Sequence, residues 1–149
     1  MRAADLIAGL AGLYALPFAA VLAAAAAIPL AYVLHAVGGF PLVVVATLAG
    51  AAKVWWAASR AEVPIIGDKF VGQLFTLWAL SAGLWFAGVP STVFPYPGWI
   101  GAFVMFNLFV RLPPIRRLGE RGPLFDDFAA GALAIAVVAV SAFIAHGAA

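Results

Sequence analysis

The sequence predicts an all-α protein, a bundle of about five membrane-spanning helices that forms one integral membrane domain over residues 1–149. Hydrophobic residues make up 66% of the chain and charged residues only 9%, against about 25% charged residues in ordinary soluble domains. So few charges cannot cover a surface exposed to water, whereas a bilayer accepts an apolar surface. The charged residues are also separated by long uncharged stretches, two of which are interrupted by turns rich in Gly and Pro.

The uncharged stretches set the helix boundaries. No Asp, Glu, Lys or Arg occurs in residues 6–52, 70–110 or 128–149. A spanning helix needs roughly 20 apolar residues, so the first two stretches each fit a helical hairpin and the third fits one helix. Gly and Pro disfavour continued helix, and they place the hairpin turns at 37–41 and 89–98. The predicted spans are therefore 14–37, 41–58, 69–88, 98–111 and 125–146. Residues 6–16 either extend the first helix or lie in the membrane interface.

This arrangement puts all charged residues at one face of the membrane. The eight Lys and Arg residues lie at the N-terminus and in or near the connections at 58–69 and 111–125, while the two turns and the C-terminal tail carry none. The positive-inside rule then predicts a cytoplasmic N-terminus. The six acidic residues fall on the same side, so the polar work of the protein is expected there. The bases are few and tied to the membrane edges, which argues against nucleic-acid binding.

Three carboxylates are candidates for chemistry: Asp68 at the start of the third span, and Asp126 and Asp127 at the start of the fifth. The simple interpretation of each is a helix N-cap. One residue suffices for a cap, however, and two adjacent carboxylates repel each other unless a cation or a proton lies between them. Mg²⁺ binds one or two carboxylates together with a phosphate. The three acids are therefore a candidate catalytic and metal site.

A basic cluster precedes the fifth span. Arg111, Arg116, Arg117 and Arg121 lie in a segment that Pro113 and Pro114 keep from continuing the preceding helix. Membrane topology alone accounts for such a cluster. The functional alternative is recognition of a lipid phosphate by the planar guanidinium groups.

The acidic and basic segments resemble a known family, phosphatidylglycerophosphatase A. Residues 65–73, I-I-G-D-K-F-V-G-Q, resemble its I-V-x-D-E-x-V-G-Q, and residues 125–131, F-D-D-F-A-A-G, are similar to its D-D-x-x-A-G. Residues 106–116 are similar to its F-R-x-F-D-x-x-K-P-x-P-I-R, and residues 26–29 match an A-A-I-P segment. The resemblance implies a multi-pass protein of the bacterial inner membrane. It also implies Mg²⁺-dependent hydrolysis of phosphatidylglycerophosphate to phosphatidylglycerol at the cytoplasmic leaflet, with Asp68, Asp126 and Asp127 as the retained acids.

Several residues depart from the family pattern. Lys69 stands where the family has Glu, Asn107 where it has Arg, and Val110 where it has Asp. Each change removes a charge that phosphoryl-transfer sites use. An ammonium beside Asp68 would also repel a divalent cation within about 4–6 Å.

Three interpretations stay open on the sequence alone. In the first, the protein is an active lipid phosphatase, in which Mg²⁺ on the three acids polarises water and Arg111, Arg116 and Arg117 hold the phosphate. In the second, which we favour, it is catalytically altered or inactive: Lys69 replaces the metal, and the site binds an anionic phospholipid. In the third, it is an accessory subunit of a larger membrane complex. A transporter or channel is disfavoured, because few polar residues fall within the spans.

Overall fold

The computed structural model describes residues 2–93 and 95–147, and over this part of the chain it contains helices and no strand. The all-α prediction is thereby confirmed for these residues. Two short 3₁₀ turns, at Leu13–Ala15 and Arg117–Arg121, accompany the α-helices. The α-helices are α1 (Ala3–Ala8), α2 (Ala19–Ala58), α3 (Gly67–Thr76), α4 (Trp78–Phe86), α5 (Tyr96–Phe109), α6 (Pro113–Arg116) and α7 (Phe125–Gly147).

Within the part of the chain that the structure describes, two helices are long and apolar enough to cross a membrane: α2, and the part of α7 at Phe125–Ala145. Helix α5 and the following segment Pro113–Arg121 would make a third if the 74° bend between them falls within one span. The chain therefore has the helices of a membrane protein.

Helix α2 is folded back on itself at Gly39. This residue has φ +65° and ψ −161°, a conformation that glycine alone adopts readily. A Cβ atom there would lie 1.9 Å from the ring of Trp85. Both halves of α2 contact α4, because His35 bonds Ser81 and Thr47 accepts a hydrogen bond from Trp78. The two halves thus lie side by side, with the bend inside the predicted turn at 37–41.

The other long helices pack around α3. Gly98 of α5 lies against Leu80, and Phe106, further along α5, lies against Gly72, so α5 runs antiparallel to α3 and α4. Helix α7 starts beside Gly72 and runs parallel to α3. Among the described residues, the hydrophobic core cluster with the most buried members lies midway along the bundle. It consists of Ala27, Ala31, Leu74, Leu77, Trp99 and Ala102. This arrangement brings the starts of α3 and α7 and the end of α5 to the same end of the bundle.

The N-terminal segment corrects one prediction. Residues 6–16 do not extend the first long helix, which begins at Ala19 rather than at residue 14. Pro17 accounts for the break, since a proline disfavours helical backbone in the residue before it, and Leu16 is extended at φ −86° and ψ 150°. Helix α1 instead packs on the connection between α2 and α3. There Asp5 accepts a hydrogen bond from the backbone N–H of Glu62 at 2.8 Å.

Smaller differences concern the ends of the third and fourth predicted spans. The segment predicted at 69–88 is two helices, α3 and α4, which meet at Leu77. The segment predicted at 98–111 starts earlier, at Tyr96, and ends at Phe109. Pro97 lies in its first turn, where the missing N–H of proline costs no helical hydrogen bond.

Candidate functional site

The first turns of α3 and α7 meet and bring four charged side chains together. The Lys69 ammonium donates to one carboxylate oxygen of each predicted acid, at 2.9 Å for Asp127, 3.2 Å for Asp126 and 3.4 Å for Asp68. Gly72 permits this approach, since a Cβ atom at that position would lie 2.6 Å from the Cβ of Asp127. The three candidate acids therefore surround the Lys69 ammonium.

The cluster is largely withdrawn from solvent. The Asp127 side chain is fully buried, while Asp68, Asp126 and Lys69 are 14%, 15% and 20% exposed. One ammonium faces three carboxylates here, so acidic groups outnumber basic ones.

One oxygen of the cluster lacks a partner. Asp127 Oδ2 accepts from Lys69, but Asp127 Oδ1 is buried and has no hydrogen-bond partner among the described residues. Buried polar atoms are satisfied in the great majority of cases. A proton on Asp127 would reduce the excess of negative charge and lower the cost of burying this oxygen.

The N-cap interpretation of the acids is wrong. The N-cap of α3 is Ile66, and Asp68 lies within the first turn, where its Oδ1 accepts from the backbone N–H of Lys69 at 2.8 Å. Helix α7 begins at Phe125, so Asp126 and Asp127 also lie within a first turn. The positive end of the helix dipole still favours carboxylates at these positions.

The Lys69 ammonium occupies the position at which the three acids could share a cation. Over residues 2–93 and 95–147, no group of three or more His, Cys, Asp or Glu side chains is placed to hold a metal ion. The point that Asp68, Asp126 and Asp127 share is taken by the Lys69 ammonium. A divalent cation at this point would face both the ammonium charge and its volume.

A cavity of about 340 Å³ opens beside the cluster, between the start of α2 and the end of α5. Three of its lining residues are cations: Lys69, Arg111 and Arg116. The remaining lining residues are Ala20, Val21, Phe106, Asn107, Val110 and Asp126. The cavity thus combines a cationic wall with an apolar one, which suits an anionic group carried by an apolar chain.

Arg117 is the one predicted phosphate ligand that lies elsewhere. It is exposed and does not line this cavity, although Arg116 beside it does. Consecutive residues of a helical segment point about 100° apart, because a turn takes 3.6 residues. Two adjacent arginines on such a segment therefore face different surroundings.

A second hollow, of about 440 Å³, lies on the other side of the cluster. Asp68 and Asp126 line it together with Glu120 and Arg121, around the glycines at 119 and 122. Asp126 lines both hollows, so the cluster is reached from two sides.

Sequence reasoning missed a polar residue beneath the cluster. Gln73 is fully buried, and neither of its amide atoms has a hydrogen-bond partner among the described residues. It lies one helical turn beyond Lys69 on α3. The sequence did offer a signal for Gln73, since a polar amide within an apolar run is unusual. Gln73 is also the last residue of the motif segment at 65–73.

Comparison with protein-family models, curated proteins and solved structures finds no match for the chain.

Proposed function

We propose that the chain is a multi-pass membrane protein similar to phosphatidylglycerophosphatase A that binds the phosphate of an anionic phospholipid without hydrolysing it. The contact of the Lys69 ammonium with Asp68, Asp126 and Asp127 carries this proposal. In it, Lys69 supplies the positive charge that a metal supplies in the family, and the phosphate lies in the adjacent cationic cavity.

The electrostatics of the site favour binding over hydrolysis. Hydrolysis of a phosphate ester needs an activated water and stabilisation of the charge that develops on the phosphoryl oxygens. Here Lys69 pairs with the carboxylates. In addition, Asn107 and Val110 stand where the family motif F-R-x-F-D has its Arg and its Asp. Both replacements line the cavity, so the losses fall on the surface that a phosphate would contact.

The cavity supplies the elements of phosphate recognition. Arg111 and Arg116 offer planar guanidinium groups, which match the oxygens of a phosphate in pairs. On the cluster side the cavity is lined by Lys69, whose ammonium is paired with the three carboxylates, and by Asp126, so Arg111 and Arg116 are the cations available to a phosphate. The apolar lining residues of the cavity, Val21 and Phe106 among them, suit the glycerol and acyl part of a lipid.

The proposed setting is the bacterial inner membrane, with five spans and a cytoplasmic N-terminus. The two halves of α2 contribute two spans, α3 with α4 one, and α5 and α7 one each. The contacts of Asp5 with the backbone of Glu62 and of Lys69 with α7 gather charged residues at a single end of the bundle. This distribution supports the orientation that the positive-inside rule predicts.

Binding is tested with short-chain phosphatidylglycerophosphate and the purified protein in detergent, by isothermal titration calorimetry. We expect Arg116→Gln to weaken binding about ten- to hundredfold, because hydrogen bonds to charged groups contribute about 1.5–3 kcal/mol. Arg117→Gln is the matched control, since the residue is adjacent and equally charged but lies outside the cavity. Equal affinity of the two variants would remove the assignment of the cavity.

Catalysis is tested by phosphate release from the same lipid with Mg²⁺. We expect the wild-type protein to release no more phosphate than an Asp127→Ala control. Release well above that control would establish an active phosphatase and overturn the non-catalytic proposal. Lys69→Glu restores the residue type of the family, and we expect it to increase Mg²⁺ or Mn²⁺ binding; unchanged metal affinity would show that Lys69 does not stand in for a cation.

A further inference from the structure

A second set of hollows lies at the end of α2, next to the hollow that Asp68 and Asp126 line, with which it shares Ala58 and Pro123. A groove of about 460 Å³ runs between this helix end and Pro123, and it is lined by Ala52, Trp55, Trp56, Ala58, Ser59, Arg60 and Pro123. We call it the Trp55 groove. An apolar pocket of about 200 Å³ continues it, since Trp55 and Pro123 line both. The pocket is completed by Leu124, Phe125 and Phe128.

The groove and its pocket form a polarity gradient. Arg60 and Ser59 line the groove together with the two tryptophans, whereas the adjoining pocket is lined by Trp55, Pro123 and apolar side chains alone. Trp55 is 53% exposed and Phe125 is 47% exposed. Their rings pack edge to face with ring centres 6.2 Å apart, so they form one continuous apolar surface. A phospholipid has the same gradient, from a charged phosphate through glycerol to an acyl chain.

Arg60 is held in place without a carboxylate partner. Its Nη1 donates to the backbone oxygen of Trp56 at 2.9 Å and to the Ser59 hydroxyl at 3.1 Å. Its guanidinium carbon lies 4.9 Å from the centre of the Trp56 ring, a cation–π contact. Among the described residues, no Asp or Glu lies within salt-bridge distance of Arg60. The remaining guanidinium N–H groups are therefore available to an anion at the groove mouth.

Aromatic anchoring alone does not account for this arrangement. The opposite end of the bundle also exposes aromatic side chains, Trp85, Phe86 and Tyr96, yet no Lys or Arg occurs between residues 70 and 110. Interfacial Trp and Tyr need no cation to sit at a headgroup layer. A fixed arginine stacked on a tryptophan above an apolar pocket instead supplies charge complementarity to a lipid phosphate.

We infer that the Trp55 groove binds one anionic phospholipid, with its phosphate on Arg60 and an acyl chain along Trp55 toward Phe128. This site is distinct from the cavity of Lys69, Arg111 and Arg116, because the two share no lining residue. Occupancy of the groove does not depend on the function proposed for that cavity.

The test uses quenching of tryptophan fluorescence by brominated phospholipids in vesicles that hold the full-length protein. Dibromo-phosphatidylglycerol and dibromo-phosphatidylcholine are each titrated as a growing fraction of the lipid. We expect the anionic lipid to reach half-maximal quenching at a fraction about fivefold lower, since one Lys or Arg near a membrane surface contributes about 1 kcal/mol toward an anionic lipid. Trp55→Phe should remove most of this preferential component, which assigns it to the groove.

Arg60→Gln is the decisive variant, and Lys53→Gln is its control, because Lys53 is exposed on the same helix but does not line the groove. We expect Arg60→Gln to abolish the preference and Lys53→Gln to leave it. Arg116→Gln should also leave it, which separates this site from the phosphate cavity. Equal quenching by the two lipids, a preference that survives Arg60→Gln, or protection of Trp55 from both lipids by a bound protein segment would each overturn the inference.

Discussion

Replacing Lys69 by methionine tests the central interaction of the molecule. Methionine is similar in length and fills much of the same volume, but it removes the ammonium that Asp68, Asp126 and Asp127 share. The variant would keep three carboxylates close together with no cation between them. Like charges at such distances disfavour ionisation of all three groups at once.

The expected loss is large because the cluster is buried. Removing one partner of a buried ion pair costs about 3–5 kcal/mol, since the other charge is left uncompensated. With Asp127 fully buried and Lys69 only 20% exposed, we expect Lys69→Met to lower the free energy of unfolding by about 3–5 kcal/mol at neutral pH. Without the ammonium, the three close carboxylates can no longer all ionise at once, so the cluster takes up a proton more readily. The folded variant then binds protons more tightly than its unfolded chain, so its stability rises as the pH falls.

The assay is denaturant-induced unfolding in detergent micelles, followed by tryptophan fluorescence at pH 5 and pH 7.5. Lys53→Met is the matched control: Lys53 is exposed and is absent from the ion pairs of the described residues, so it should change stability by no more than about 0.5 kcal/mol. A Lys69→Met loss as small as that of the control, or one that grows as the pH falls, would refute the reasoning.

Mg²⁺ provides a second measurement on the same variant. Once the ammonium is gone, the three carboxylates should accept a divalent cation. A ligand that binds only the folded state stabilises it by an amount that rises with the logarithm of its concentration relative to the dissociation constant. At a concentration a hundred times the dissociation constant, this gain is about 2.7 kcal/mol. We expect millimolar Mg²⁺ to restore part of the stability of Lys69→Met and to leave the wild type unchanged.

Three further predictions concern packing, and each is read from the unfolding midpoint. Gly72→Ala should destabilise the protein by about 1–3 kcal/mol, because its new methyl group would meet the Cβ of Asp127 at 2.6 Å; an unchanged midpoint would show that α7 can shift freely. Gly83→Ala should be neutral or stabilising by up to about 1 kcal/mol, since its Cβ would enter open space within a helix, and a clear loss would contradict this. Ser81→Ala should cost about 1–3 kcal/mol, because it removes the 2.8 Å partner of the buried His35 ring; full stability would show that the ring finds another partner.

Features set by a single residue or by charge spacing were predictable from the sequence. The bend of α2 was readable because Gly38, Gly39 and Pro41 follow one another within an apolar run. The start of α7 was readable because two aspartates precede an uncharged stretch of spanning length. The charge distribution placed Asp68, Asp126 and Asp127 at one face, but it could not show that they touch, since no local rule relates the first turns of two distant helices.

Features that depend on tertiary contacts were not predictable. Asp5 precedes a long uncharged stretch and has no local partner in sequence that marks its role, yet it accepts a hydrogen bond from the backbone of Glu62 across 57 residues of chain. Arg117 belongs to the same basic run as Arg116. The two side chains differ only because the backbone at the end of α6 turns Arg116 toward the cavity and leaves Arg117 outside it. The buried amide of Gln73 has no local signature either, because its surroundings are formed by other helices.

The first half of α2 packs through alanine side chains, which lose no conformational entropy on burial. Ala23, Ala24, Ala27 and Ala31 are each fully covered, and alanine has no rotamer freedom to give up on burial. Helices surrounded by lipid gain no hydrophobic driving force from meeting each other, so close contact between small residues decides their association. This alanine face therefore gives a tight interface at almost no side-chain entropy cost, and larger residues introduced there would separate the helices.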